Sequence, residues 1–135
     1  MPKLSVFFVR TALLYLLLGT TLGLLLLISK AIPQWAAVWR LYEVHVEFLV
    51  IGWTLQLVMG VAFWIMPKYS AEPIRGRESL GWAALGFINT GILLKCGAAL
   101  AFPWPILNAL AVALKLVAIV FFVRMMWPRV KAFAL

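Results

Sequence analysis

The chain has 135 residues, of which 66% are hydrophobic and 12% charged, whereas a water-soluble domain carries roughly 45–50% apolar and 25% charged residues. That composition excludes a soluble globular protein. Twelve Lys+Arg against four Asp+Glu give a formal charge of +8, but the basic residues sit mostly at the edges of apolar runs, where they set membrane orientation, so nucleic-acid binding is not implied.

Four apolar segments follow in chain order, at about 6–28, 41–66, 80–102 and 106–127. Each suffices to cross a hydrocarbon core of ~30 Å at 1.5 Å per residue. The expected fold is therefore an all-α, integral membrane four-helix bundle forming a single domain over 1–135. The basic start MPKLSVFFVR leads into a run that continues to Ile28 without a small-residue cleavage site, so it reads as a retained first span. In that span Gly19-Thr-Thr-Leu-Gly23 is a GxxxG, a mark of close helix contact within the chain or with a second copy.

Turn residues separate the spans: SKAIPQW at 29–35, PKYSAEPIRGRE at 67–78, PWP at 103–105 and WPR at 127–129. Lys3, Arg10, Lys68, Arg75, Arg77, Arg124, Arg129 and Lys131 fall on one side, and Lys30 and Arg40 on the other. This asymmetry places both termini in the cytoplasm, in a bacterial-type inner membrane. Trp35, Trp39, Tyr42 and Trp104 then mark the outer interface, and Trp64, Tyr69, Trp82 and Trp127 the inner one.

Ionisable residues deep in a span are costly and so are candidate site residues. On a helical wheel of the second span, His45, Phe48, Leu49, Gly52, Gln56, Met59, Gly60 and Phe63 share one face, while Glu43, Glu47, Thr54 and Val61 line the opposite one. The first face has two readings. It is half of a haem pocket, with a neutral imidazole as ligand and glycines letting a flat macrocycle approach, or it is an interfacial histidine bonded to a carbonyl with glycines that serve packing. On the other face, Glu47 meets the only cations at its depth, Lys95 and Lys115, both ~10–14 Å from the outer end of their spans. A Glu47, Lys95 and Lys115 cluster is expected, serving as a proton relay, as an anion or propionate site, or as a means of holding the spans in register. Lysines that snorkel along their stems are the structural alternative.

Asn89 and Asn108 read as interhelical hydrogen-bonding residues. Cys96 is expected to be a small apolar filler, and as the one cysteine it excludes an internal disulfide. Met59, Met125 and Met126 are packing residues or, alternatively, soft metal ligands.

The stretch from His45 through Gly52 and Gly60 to Trp64 and Pro67 resembles the second transmembrane helix of the catalytic subunit of haem-copper oxidases and nitric oxide reductases. The FFVRTALLYLLLG run of the first span is similar to the helix that precedes it. The resemblance covers roughly the first half of the chain and implies that His45 is an axial ligand of a b-type haem, with Gly52, Gln56, Gly60 and Phe63 along its seat. The family's further histidines have no counterpart, since this chain has one histidine, so a binuclear centre and catalysis by the chain alone are not implied. Three ligations stay open: His45 with an open sixth position, His45 with a methionine, or two His45 side chains in a homodimer. The resemblance thus implies electron transfer or sensing in a respiratory chain, as a homo-oligomer or a subunit of a larger complex. The reading from another class is a cofactor-free accessory subunit, and a small anion channel or transporter built on the lysine pair is a third.

Overall fold

A computed structural model describes residues 1–68, 75–100 and 104–130. Tyr69, Pro103 and Lys131, which the sequence places at span edges, lie outside the described residues. Helix α1 covers Lys3–Ser29, and a 3-10 segment at Pro33–Leu41 leads into α2 (Tyr42–Glu47). A π-helical stretch at Phe48–Leu55 joins α2 to α3 (Gln56–Ile65). Helices α4 (Glu78–Leu100) and α5 (Pro105–Met126) follow, with a closing 3-10 turn at Trp127–Arg129. Counted as continuous rods, these form four helices long and apolar enough to cross a membrane: Lys3–Ser29, Gln34–Ile65, Glu78–Leu100 and Pro105–Arg129. No strand occurs among the described residues.

The most apolar windows of these four helices are only 17–39% buried. The remainder is a belt of exposed Leu, Ile and Val, which water would not tolerate on this scale but lipid solvates well. Exposed Trp35, Trp39, Tyr42 and Trp104 ring the end opposite the termini, here the distal end. Exposed Trp64, Trp82 and Trp127 ring the end that carries both termini. These rings sit where amphipathic aromatics prefer the membrane interface.

The interior is built from stripes. In α1 the buried residues Leu4, Ser5, Phe8, Ala12, Tyr15 and Gly19 recur at three- and four-residue intervals on one side. They meet Gly52, Met59, Gly60 and Phe63 of the second span. Phe8, Phe63, Ile88 and Ile92 are fully buried and tie α1, α3 and α4 into one core. Helices α4 and α5 approach closely at Gly91, where an added Cβ would lie 2.9 Å from the Ala111 carbonyl oxygen.

The π stretch interrupts the α-helical geometry in the middle of the second span. Its i→i+5 turns hold more residues than an α turn, so they rotate α3 relative to α2. A uniform wheel puts Thr54 on the Glu47 face. In the structure Thr54 is exposed and its hydroxyl donates to the Leu49 carbonyl five residues earlier, at 2.9 Å. The same rotation turns Gln56 inward beside α4, so Glu47 and Gln56 are both buried although the wheel had set them apart.

Candidate functional site

Four polar constellations run along the bundle from the distal end to the terminal end. The first is centred on His45. Its Nδ1 lies 2.8 Å from the Gly19 carbonyl oxygen of α1. A carbonyl only accepts, so Nδ1 carries the proton, and in the neutral ring Nε2 keeps its lone pair. Gly23, one turn further along α1, makes room for the ring, since a Cβ there would be 2.7 Å from His45 Cε1. The GxxxG of the first span is thus the seat of the histidine, a link between two features that the sequence shows only separately. Nε2 has no hydrogen-bond partner among the described residues. Beside the ring opens a cavity of about 180 Å³ lined by Gly23, Leu26, Lys30, Trp39 and Tyr42, and the Lys30 ammonium lies 5.6 Å from the centre of the Trp39 ring.

The remainder of the expected haem seat is occupied by α1. Tyr15 covers Gly52, with an added Cβ only 2.5 Å from its ring. Phe8 and Ser5 cover Gly60, and the Ser5 hydroxyl donates to the Gly60 carbonyl. Gln56 is fully buried and engaged by neighbours, and Phe63 is fully buried beneath the Arg129 guanidinium. A macrocycle does not fit along Gly52, Gln56, Gly60 and Phe63, because the glycines admit a neighbouring helix instead. Nor does a methionine reach His45 within the chain. Met59 is fourteen residues away, roughly 20 Å of helix, while Met125 packs on Gly81 and Met126 on Arg129 at the terminal end.

The second constellation holds the intramembrane charges. Lys115 Nζ of α5 is 2.5 Å from Glu47 Oε1, with side-chain exposures of only 12% and 10%. Its stem crosses α4 at Gly91, where a Cβ would lie 2.8 Å from Lys115 Cγ. Lys95 does not join this pair. It bonds to Glu43 Oε2 at 2.8 Å and to Asn108 Oδ1 at 3.1 Å. The expected three-member cluster is therefore two ion pairs, set one helical turn apart by the Glu43 and Glu47 spacing. The second carboxylate is Glu43, which shares the Glu47 face of the second span on the helical wheel. Lys95 is long enough to reach it, and Glu43 stays 62% exposed. Beside this outer pair lies a polar cavity of about 230 Å³ bordered by Arg40, Glu43, Ala98, Ala99 and Asn108.

The third lies near the middle of the bundle. Asn89 Nδ2 donates to Gln56 Oε1 at 3.1 Å and to the Leu85 carbonyl at 2.8 Å, and Thr11 Oγ1 donates to the same Gln56 oxygen at 3.0 Å. Three spans are thereby stitched by neutral side chains.

The fourth is centred on Arg129, whose place beside a span end in the sequence marks it as an orientation charge. Arg129 is 1% exposed. Its Nε donates to Pro67 O at 3.0 Å, and Nη2 donates to Phe63 O at 3.0 Å and Met66 O at 2.8 Å. It caps the carbonyls that α3 leaves open where Pro67 ends the second span. The only signal for this in the sequence is the WPR turn that bends Arg129 back toward the bundle.

Among the described residues no group of three or more His, Cys, Asp or Glu is placed to hold a metal ion. Comparison of the chain with family models, curated proteins and solved structures finds no match.

Proposed function

We propose that the chain is a small haem-binding subunit of the membrane, using His45 Nε2 as one axial ligand and serving electron transfer or sensing in a respiratory chain. The observation that carries this reading is that His45 Nε2 has no hydrogen-bond partner among the described residues, on a ring that borders an open cavity. The bond from Nδ1 to the Gly19 carbonyl is common to this reading and to a purely structural histidine. A second hydrogen bond of this kind fixes the tautomer and orientation of ligating histidines and makes the other nitrogen a better donor. The resemblance of the stretch from His45 to Pro67 to a haem-bearing helix supports it as well. A bound haem supplies a one-electron couple. The chain's own part is to present Nε2 from the Gly19–Gly23 seat, to wall the site with Trp39 and Tyr42, and to hold the Lys30 cation nearby for a carboxylate.

The cavity beside His45 takes only the edge of such a group, so the site is completed by a second copy or by a partner subunit, consistent with a homodimer or a respiratory complex. The basic-residue asymmetry supports a topology with both termini in the cytoplasm, and a bacterial-type inner membrane is part of the same proposal. Haemin titration of the purified chain in nanodiscs tests the reading. Saturable binding with a sharpened Soret band, lost in His45→Ala, is the expected result. No binding to the wild type, or equal binding to His45→Ala, overturns it.

A cofactor-free accessory subunit is the second reading, favoured by the closure of the charged interior. Lys95 and Lys115 each have a carboxylate partner, so the buried charges are satisfied without a ligand. A folded protein that stays colourless with haem in excess selects this reading.

A further inference from the structure

Helix α5 is the least enclosed of the four spans, and near the terminal end its outer face forms a groove of about 460 Å³. Ile119, Val120, Val123, Arg124, Trp127 and Pro128 line it. The positions 119, 120, 123, 124 and 127 lie on one face of the helix and span ~12 Å along the axis. The wall is apolar below and ends at the level of the terminal aromatic ring in Arg124 and Trp127. Arg124 is exposed and has no hydrogen-bond or ion-pair partner among the described residues. Arg129, one turn further, is committed to the α3 carbonyls and does not compete.

We propose that this groove is a binding site for an anionic phospholipid of the leaflet at the terminal end. An acyl chain lies against Ile119, Val120 and Val123, the Arg124 guanidinium takes phosphate oxygens, and Trp127 sits at headgroup depth. A planar guanidinium matches phosphate geometry with two parallel donors, and its charge is weakly screened at the edge of the hydrocarbon. Charge complementarity selects an anionic lipid over a zwitterionic one. By sequence this end carries eight basic residues, Lys3 to Lys131, against Glu72 and Glu78, and basic residues near a membrane surface each attract anionic lipid. A second groove of similar size, about 410 Å³, lies on α3 between Leu57 and Met66. It has no charged lining residue and is a built-in control.

The test uses the full chain in nanodiscs of phosphatidylcholine with about one tenth phosphatidylglycerol, with dibrominated acyl chains on one lipid or the other. The Trp127 emission is isolated as the difference between wild type and Trp127→Phe. Brominated phosphatidylglycerol is expected to quench this component several-fold more than its mole fraction predicts, and Arg124→Gln is expected to return quenching to the mole fraction. Quenching of the wild type at the mole fraction, an excess that survives Arg124→Gln, or no quenching by either lipid because a second copy covers the groove would each overturn the proposal.

Discussion

The buried pair of Glu47 and Lys115 makes a quantitative demand on the stability of the bundle. Glu47→Gln keeps the shape of the side chain and deletes its charge, leaving the Lys115 ammonium in an apolar setting. Lys115 is eleven residues into α5, ~15 Å of helix from the distal end, further than its stem extends. Breaking a buried pair by removing one partner costs about 3–5 kcal/mol. The outer pair is a control on the same helix. With Glu43 62% and Lys95 25% exposed, solvent screens it, and Glu43→Gln is expected to cost at most about 1 kcal/mol. A Glu47→Leu, Lys115→Met double variant removes both charges and is expected to fall within about 1–2 kcal/mol of the wild type. Equilibrium unfolding in mixed micelles, followed by tryptophan emission, gives all four free energies. The reasoning is refuted if Glu47→Gln costs no more than Glu43→Gln, or if the double variant costs as much as Glu47→Gln.

Four further outcomes follow from other positions. Gly91→Ala places a methyl 2.9 Å from the Ala111 carbonyl and 2.8 Å from Lys115 Cγ, and should destabilise by about 1–3 kcal/mol. Gly86→Ala meets nothing within 4 Å and should be neutral or stabilising by up to ~1 kcal/mol in the same unfolding assay. Arg129→Met strips the α3 carbonyls of their donors and should cost about 2–3 kcal/mol, with a matching loss of amide protection at the end of the second span by hydrogen exchange. The single histidine makes nitrogen-15 labelling unambiguous. Its spectrum should show a protonated Nδ1 and an unprotonated Nε2, the reverse of which would remove the Gly19 bond.

Much of this architecture is legible in the sequence because lipid imposes blunt requirements. Apolar length marks four helices with most ends within a few residues. The exception is the second, whose rod starts at Gln34 rather than Leu41 because a 3-10 segment leads into it. The Glu47 and Lys115 partnership is also readable, since deep charges have few possible partners. What escaped is local geometry. A wheel assumes a constant 100° per residue, and the π stretch at Phe48–Leu55 violates it, which reoriented Thr54 and Gln56. The glycines Gly52 and Gly60 carry no label for what fills them, and a neighbouring helix leaves the same gap in sequence as a flat cofactor does. Arg129 shows the converse limit. A cation near a span end looks like a topology signal, and only the turn before it reveals that it folds back onto carbonyls. The Gly19–Gly23 motif was visible as a packing surface, but its occupant, an imidazole from the next span, was not.

The central claim concerns His45 Nε2, and the most direct measurement is the visible spectrum of the chain purified from haem-replete cells, oxidised and dithionite-reduced, beside His45→Ala. The account predicts a Soret band and a reduced α-band of b-type haem in the wild type, both absent from a variant that still folds. A wild-type protein with no absorption above 350 nm, or a spectrum that persists in His45→Ala, contradicts it.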